Sequence, residues 1–227
     1  MLHLNDTDLA RVRQAIAKAE QHTSGEILCV VTPRSGDSQW VICFWALCAA
    51  MLTPLLWLAF GVPGRELLAS LVNQGWQSSH VAGESSLWMM AALPALAAAL
   101  VSLLLLYAPL RHALTPRRVR RKRVHHMALQ QFVALGVART QASTGVLIFL
   151  SLAERQAEVV ADRAIYEKVA PEAWGATIEK LLAGARRGDI AGGFVDAIAE
   201  AGTLLQQHFP APARNIDELP DHLILLP

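Results

Sequence analysis

Behind Asn5, the apolar positions Leu9, Val12, Ile16 and Ala19 recur at helical spacing. Asn5 has the character of an N-cap with Asp8 three residues on, and Leu4 can staple onto Leu9, so a first helix is predicted to run towards Gly25. EILCVV follows as a short, continuous apolar run, a buried strand that Pro33 ends. The pattern then changes in kind. Trp40 to Gly61 give 22 positions without a charge and Leu87 to Leu110 another 24. Each exceeds the ~20 residues that cross a ~30 Å hydrocarbon core. Elements apolar on every face suit a bilayer better than a soluble core of this size. Transmembrane helices are therefore predicted at 40–61 and 87–110, joined by a loop over 62–86. Trp40 and Trp57 bracket the first span, Trp88 and Tyr107 the second, at the depth where amphipathic rings settle. The first span lies too far from the N-terminus for a cleaved signal peptide.

Helical spacing returns after the spans. Thr115 and Pro116 resemble an N-cap and first-turn pair opening a helix to about Arg139, with Met127, Phe132 and Leu135 on its inner side. TQASTG reads as a loop, VLIFLSL as a second strand, AERQ as a turn and AEVVAD as a third strand antiparallel to the second. Two helices close the pattern, one opened by Pro171 and carrying Trp174, Ile178, Leu181 and Leu182, the other from Asp189 through Phe194, Ile198, Leu204 and Leu205. Residues 1–36 are too few for a core, and 124–227 begin in mid-pattern, so the second part of the domain, with its basic linker, is placed at 111–209. The simplest architecture is one discontinuous α/β domain, a small α/β/α sandwich with a short mixed sheet, interrupted by a two-helix transmembrane hairpin. Its first two strands would be parallel through a right-handed crossover. Residues 210–227 read as an extended tail, and GRELLASLVNQG in the 62–86 loop as a short interfacial helix.

Charge sharpens this division. The net charge is +1, and of the residues between Trp40 and Leu110 only Arg65, Glu66 and Glu84 are charged. That excludes a wholly soluble globular chain and a generally basic nucleic-acid binder. Arg111, Arg117, Arg118, Arg120, Arg121, Lys122 and Arg123 follow the second span directly, whereas Arg65 alone lies between the spans. The positive-inside rule then puts both termini in the cytoplasm of a bacterial cell and the 62–86 loop across the inner membrane. The run Arg117, Arg118, Arg120, Arg121, Lys122 and Arg123 is explained by topology alone. The alternative is contact with anionic lipid or nucleic-acid phosphates, although no aromatic side chains interleave for stacking on bases.

Candidate chemistry is sparse. Cys29, Cys43 and Cys48 have no disulfide or metal spacing, and His125 and His126 diverge by about 100° on a helix, which prevents joint ligation. No Walker, GxSxG, HExxH or GxGxxG motif occurs, and AGG at 191–193 is too short to indicate a phosphate loop. With the first two strands parallel, Glu26, the TQASTG loop and Asp162 fall at one edge of the sheet. Two carboxylates with neighbouring hydroxyls there would suit a hard cation such as Ca²⁺. The other account makes them solvated strand ends, with Asp162 paired to Arg163.

SGEILCVV, TGVLIFLSLAERQAEVVAD and GDIAGGFVDAI, in that order, resemble the TPM domain family over most of 1–36 and 124–209. The resemblance implies an α/β/α sandwich and a part in maintaining or organising membrane protein complexes. In some relatives it implies weak acid phosphatase activity or divalent-cation binding. Two departures stand out. TQASTG replaces an acidic, Asn-rich loop, and a membrane hairpin intrudes between the first strand and its crossover helix. The resulting expectation is a membrane-anchored, non-catalytic domain that binds the bilayer and other membrane proteins, with a cation-dependent phosphatase using Glu26 and Asp162 as the alternative.

Overall fold

The computed structural model describes residues 4–35, 39–60, 84–107, 115–140, 142–212 and 219–226. The proposed interfacial helix and nearly all of the 62–86 loop lie outside these residues. The chain divides into two compact units, one made of 1–36 with 117–227 and the other of 37–116.

In the first unit, α1 (Asp6–Glu20) starts on a full capping box: the Asp8 amide donates to Asn5 Oδ1 at 2.8 Å and the Asn5 amide to Asp8 Oδ2 at 3.4 Å. Strands β1 (Glu26–Thr32) and β2 (Gly145–Ser151) are parallel, and every residue of both is buried, which accounts for their unbroken apolar runs. β3 (Gln156–Ala161) pairs antiparallel with β2. A fourth strand, β4 (Leu223–Leu225), pairs parallel with β1, so the sheet order is β3-β2-β1-β4. Leu223–Leu225, within the segment expected to be an extended tail, complete the sheet.

Side-chain alternation gives the sheet two apolar faces. Ile27, Cys29, Val31, Val146, Ile148 and Leu150 pack with α1, α6 (Gly175–Arg187) and α7 (Ile190–His208). Leu28, Val30, Leu147, Phe149 and Val160 pack with α4 (Arg117–Ala134) through Val124, Ala128 and Phe132. The unit is thus an α/β/α sandwich on a mixed four-stranded sheet. α4 stops five residues before Arg139 because Gly136, at φ 77°, turns the chain into a 3₁₀ turn over Val137–Arg139. The Pro171 segment is likewise a 3₁₀ turn leading into α6, and a four-residue helix, α5 (Arg163–Tyr166), follows β3.

The GDIAGG sequence is a packing device. Asp189 caps α7 by accepting from the Gly192 amide at 2.8 Å. A methyl group on Gly184 would collide with the Gly193 backbone, and one on Gly193 would lie 2.9 Å from the Leu181 carbonyl oxygen, so α6 and α7 meet backbone to backbone.

The second unit contains α2 (Gln39–Phe60) and α3 (Glu84–Leu106), packed against each other. Both continue through an internal proline, Pro54 and Pro94. Among the described residues no helix is long and apolar enough to cross a membrane. The described side chains are continuous only over 41–56 and 94–106 in these helices, and the longer of these stretches rises about 24 Å. Within them Phe44, Leu47, Met51, Leu52, Leu55 and Leu56 on α2, and Leu96, Leu100, Leu103 and Leu104 on α3, are exposed.

Candidate functional site

The pairing register brings Glu26, Gly145 and Asp162 into one row at the edge where β1 and β2 begin: Glu26 is opposite Gly145, and the Asp162 amide donates to the Gly145 carbonyl at 2.9 Å. Two strand spacings separate the carboxylates' backbones by about 10 Å. Val137 occupies the gap. Its carbonyl oxygen and Cγ1 sit where a Gly145 side chain would begin, which is why the row has a glycine at its centre. Asp162 caps α5, its Oδ1 accepting from the Arg163 amide at 2.6 Å, while the Arg163 side chain pairs with Glu167 at 2.9 Å. The loop hydroxyls are also engaged: Thr140 Oγ1 accepts from the Thr144 amide at 3.2 Å, and Thr144 Oγ1 donates to the Ser24 carbonyl at 2.7 Å. The structure therefore does not bring Glu26 and Asp162 together around one ion.

Glu26 instead shares its surroundings with Glu20 at the end of α1 and Asp221 ahead of β4. Glu26 Oε2 accepts from the Leu219 amide at 3.3 Å, and Glu20 Oε1 from the Ile27 amide at 2.7 Å. Burial, followed by the repulsion of Glu26 and Asp221, pushes Glu20 up to about 9, against the opposing effect of the Ile27 amide. At neutral pH Glu20 is a neutral acid hydrogen-bonded to Asp221. Ca²⁺ requires ionised, outward-facing oxygens, usually six to eight. Here one oxygen each of Glu20 and Glu26 is committed to a backbone amide, which leaves fewer oxygens than that ion needs. Among the described residues no three His, Cys, Asp or Glu side chains form a metal-holding group.

Sequence reasoning missed Glu20 and Asp221. Glu20 had a signal: it continues the Val12, Ile16 row at i+4 and so points into the buried face of α1. Cys29 is fully buried between the same elements, and burial pushes its thiol far above the ordinary range, which makes it an inert core residue.

The opposite edge of the sheet, where β1 and β2 end, has a different character. Thr32, Ser35, Ser151 and Glu154 are all buried there. Glu154 Oε2 accepts from the Ser151 hydroxyl and, at 3.1 Å, from the Ser35 amide, tying the loop after β1 to the β2–β3 turn. The Ser35 hydroxyl, buried too, has no hydrogen-bond partner among the described residues. The start of α4 lies alongside and carries Arg117, Arg118, Arg120, Arg121, Lys122 and Arg123 in its first two turns, with no acidic residue in the first. An open cleft of about 460 Å³ is lined by Ser35, Val119, Lys122, Arg123, His126, Met127 and Gln130. His125 points elsewhere and pairs with Glu158 of β3 at 2.9 Å. Of the basic run expected from the sequence, Lys122 and Arg123 thus line a cleft at the carboxyl ends of parallel strands, the usual location of ligand sites in open α/β sheets.

No curated protein matches the chain. Among solved structures, the NMR structure of the BA42 protein from the psychrophilic bacterium Bizionia argentinensis is similar, with a TM-score of 0.55 and 18% identity over 98% of this chain and 94% of that one. At that identity the likeness concerns the fold. The model of the TPM domain matches residues 113–204, from the start of the basic segment through β2, β3, α6 and most of α7. Those are the elements that carry two of the three motifs and the backbone contact between Gly184 and Gly193, and over that segment the chain is similar to the TPM domain family.

Proposed function

We propose that this chain is a membrane-anchored binding domain. The α2–α3 hairpin fixes it in the bacterial inner membrane with both termini in the cytoplasm, and the TPM domain recognises other components of that membrane. The observation carrying this reading is the uncovered apolar surface of the hairpin. Leucines, a phenylalanine and a methionine project from both helices without cover, whereas a water-exposed apolar patch larger than a few hundred Å² is unusual on a monomer. Continued over its whole length, α2 has 22 residues without Asp, Glu, Lys or Arg and rises about 33 Å, and α3 has 23 with only Glu84 at its start. The basic residues of α4 follow the hairpin on the side that the positive-inside rule assigns to the cytoplasm.

A binding role is also favoured by the polar groups of the domain. At the acid edge they serve the domain's own backbone, and Cys29 is shut away in the core. Carbonate extraction and cysteine labelling test the anchor. The full chain is expected to stay in the pellet, with a cysteine introduced at position 80 labelled from outside and one at position 203 protected. Release into the supernatant, or the reverse labelling, would overturn the anchor. Crosslinking in native membranes tests the binding role: capture of other membrane proteins supports it, and recovery of the bait alone counts against it.

A further inference from the structure

We propose that the cleft between the loop after β1 and the outer wall of α4 is a binding site for a phosphate monoester, with Ser35, Lys122, His126 and Gln130 as its polar contacts. Three independent features point there. The first is the Ser35 hydroxyl: Ser35 is 7% exposed and lines the cleft, yet its Oγ is buried without a partner. A buried hydroxyl left unsatisfied destabilises the fold, and an acceptor entering the cleft would remove that cost. Its own backbone amide is already given to Glu154, so the loop is held in position before any ligand arrives.

The second feature is spacing. Lys122, His126 and Gln130 succeed one another at i+4 along α4, with Arg123 beside them, so donors of graded length face the cleft above an apolar floor of Val119 and Met127. The third is charge balance. The positive end of a helix dipole favours anions, yet the first two turns of α4 carry six cations and no carboxylate. Of these cations Lys122 lines the cleft, and among the described residues it makes no ion pair. Glu154 is the carboxylate on the far side of the loop, and its Oε2 is occupied by Ser151 and Ser35. A dianion in the cleft would satisfy the Ser35 hydroxyl and the Lys122 ammonium together.

The phosphate could belong to a lipid headgroup or to a free metabolite, and the two arms of the test distinguish them. Full-length protein in detergent is titrated with glycerol 1-phosphate by calorimetry. In parallel, native mass spectrometry measures retention of phosphatidic acid against phosphatidylcholine. Saturable binding in the first arm identifies a free monoester, and selective retention in the second a lipid headgroup. In whichever arm binds, Ser35→Ala and Lys122→Gln are expected to weaken binding at least fivefold each, while Arg118→Gln and Arg121→Gln, outside the cleft, change it less than twofold.

Absence of binding in both arms overturns the site. So does a Ser35→Ala chain that binds like the parent, or a loss that follows the number of cations removed regardless of position, since either leaves only diffuse attraction. Salt-steep binding of an oligonucleotide without a response to either phosphate probe would overturn it in favour of nucleic acid. The glycerol phosphate arm does not depend on where the hairpin resides, so failure of the membrane anchor and failure of this site are separately visible.

Discussion

The two edges of one sheet make opposite uses of their polar residues. Where β1 and β2 begin, Glu20, Glu26 and Asp162 all accept from backbone amides, and Glu20 further hydrogen-bonds to Asp221, so charged residues act as fasteners for the α1–β1 corner, the tail and α5. Where the strands end, Lys122 lines an open cleft without a carboxylate partner among the described residues, beside a serine hydroxyl without a bond. A count of acidic and basic residues would mark both edges as candidate sites. The difference lies in hydrogen-bond partners rather than in residue type. At the first edge Glu20, Glu26 and Asp162 each give one oxygen to a backbone amide, with Asp162 Oδ2 and Asp221 Oδ1 left buried and unpartnered among the described residues, whereas the Ser35 hydroxyl at the second faces an open cleft. The contrast implies that substitutions at the first edge alter stability and those at the second alter binding.

The largest expected departure is at Glu20. The unfolded chain releases this proton near 4.5 and the folded one near 9, so across that interval folding takes up a proton. The contribution is complete below 4.5 and is lost as the pH rises through 9. Glu20→Gln keeps an acceptor for the Ile27 amide and a donor towards Asp221 but cannot ionise. Thermal unfolding of the full chain in detergent should show the parent losing stability from pH 5 to pH 9 by on the order of a few kcal/mol. The Gln variant should have a flatter profile and be the more stable of the two at pH 9. Parallel profiles would mean that the acid edge is solvated, and the contrast between the edges would fail there.

The next effect in size tests the division within the acid edge. In Gly145→Ala the new methyl meets the Val137 carbonyl and its Cγ1, and such overpacking costs about 1–3 kcal/mol. A clear drop in melting temperature is expected. An unchanged melt would show that Val137 yields easily, which would reopen the space between Glu26 and Asp162 to a shared ion.

Much of the architecture was legible because it rests on local rules. The Asn5 capping box, the doubly buried runs EILCVV and VLIFLSL, and the stop at Pro33 are short-range signals, and the parallel pairing of the first two strands follows from the long crossover between them. What escaped is non-local. LIL at 223–225 is three residues long and becomes a strand only because β1 offers an open edge. The sequence correctly indicated that Glu26 and Asp162 share an edge, but not that Val137, eight residues before Gly145, folds back between them. On the opposite edge the basic run was plain in the sequence, whereas its apposition to Ser35 depends on α4 lying beside the end of β1.

A smaller effect is expected at Asp162. Loss of the α5 cap in Asp162→Ala should cost roughly 1 kcal/mol, as removal of an N-cap generally does. Added Ca²⁺ should leave the melting temperatures of parent and variant alike. A calcium-dependent rise present in the parent and absent in the variant would make Asp162 a ligand and contradict the fastening role.

The smallest effect is expected at the cationic edge, where a null result in stability is informative. Lys122 and His126 are exposed and form no ion pair among the described residues, and exposed substitutions away from such features usually stay within about 0.5 kcal/mol. Removing one cation from a crowded helix start relieves repulsion and slightly favours the helix dipole, so Lys122→Gln should melt at or just above the parent temperature. His126→Gln loses only an exposed contact with Gln130 at 3.3 Å and should melt close to the parent. A loss of 2 kcal/mol or more in either, roughly the range of a buried side chain, would show that α4 is fastened through these residues. The cleft would then be part of the fold's own support, and the two edges would cease to differ in kind.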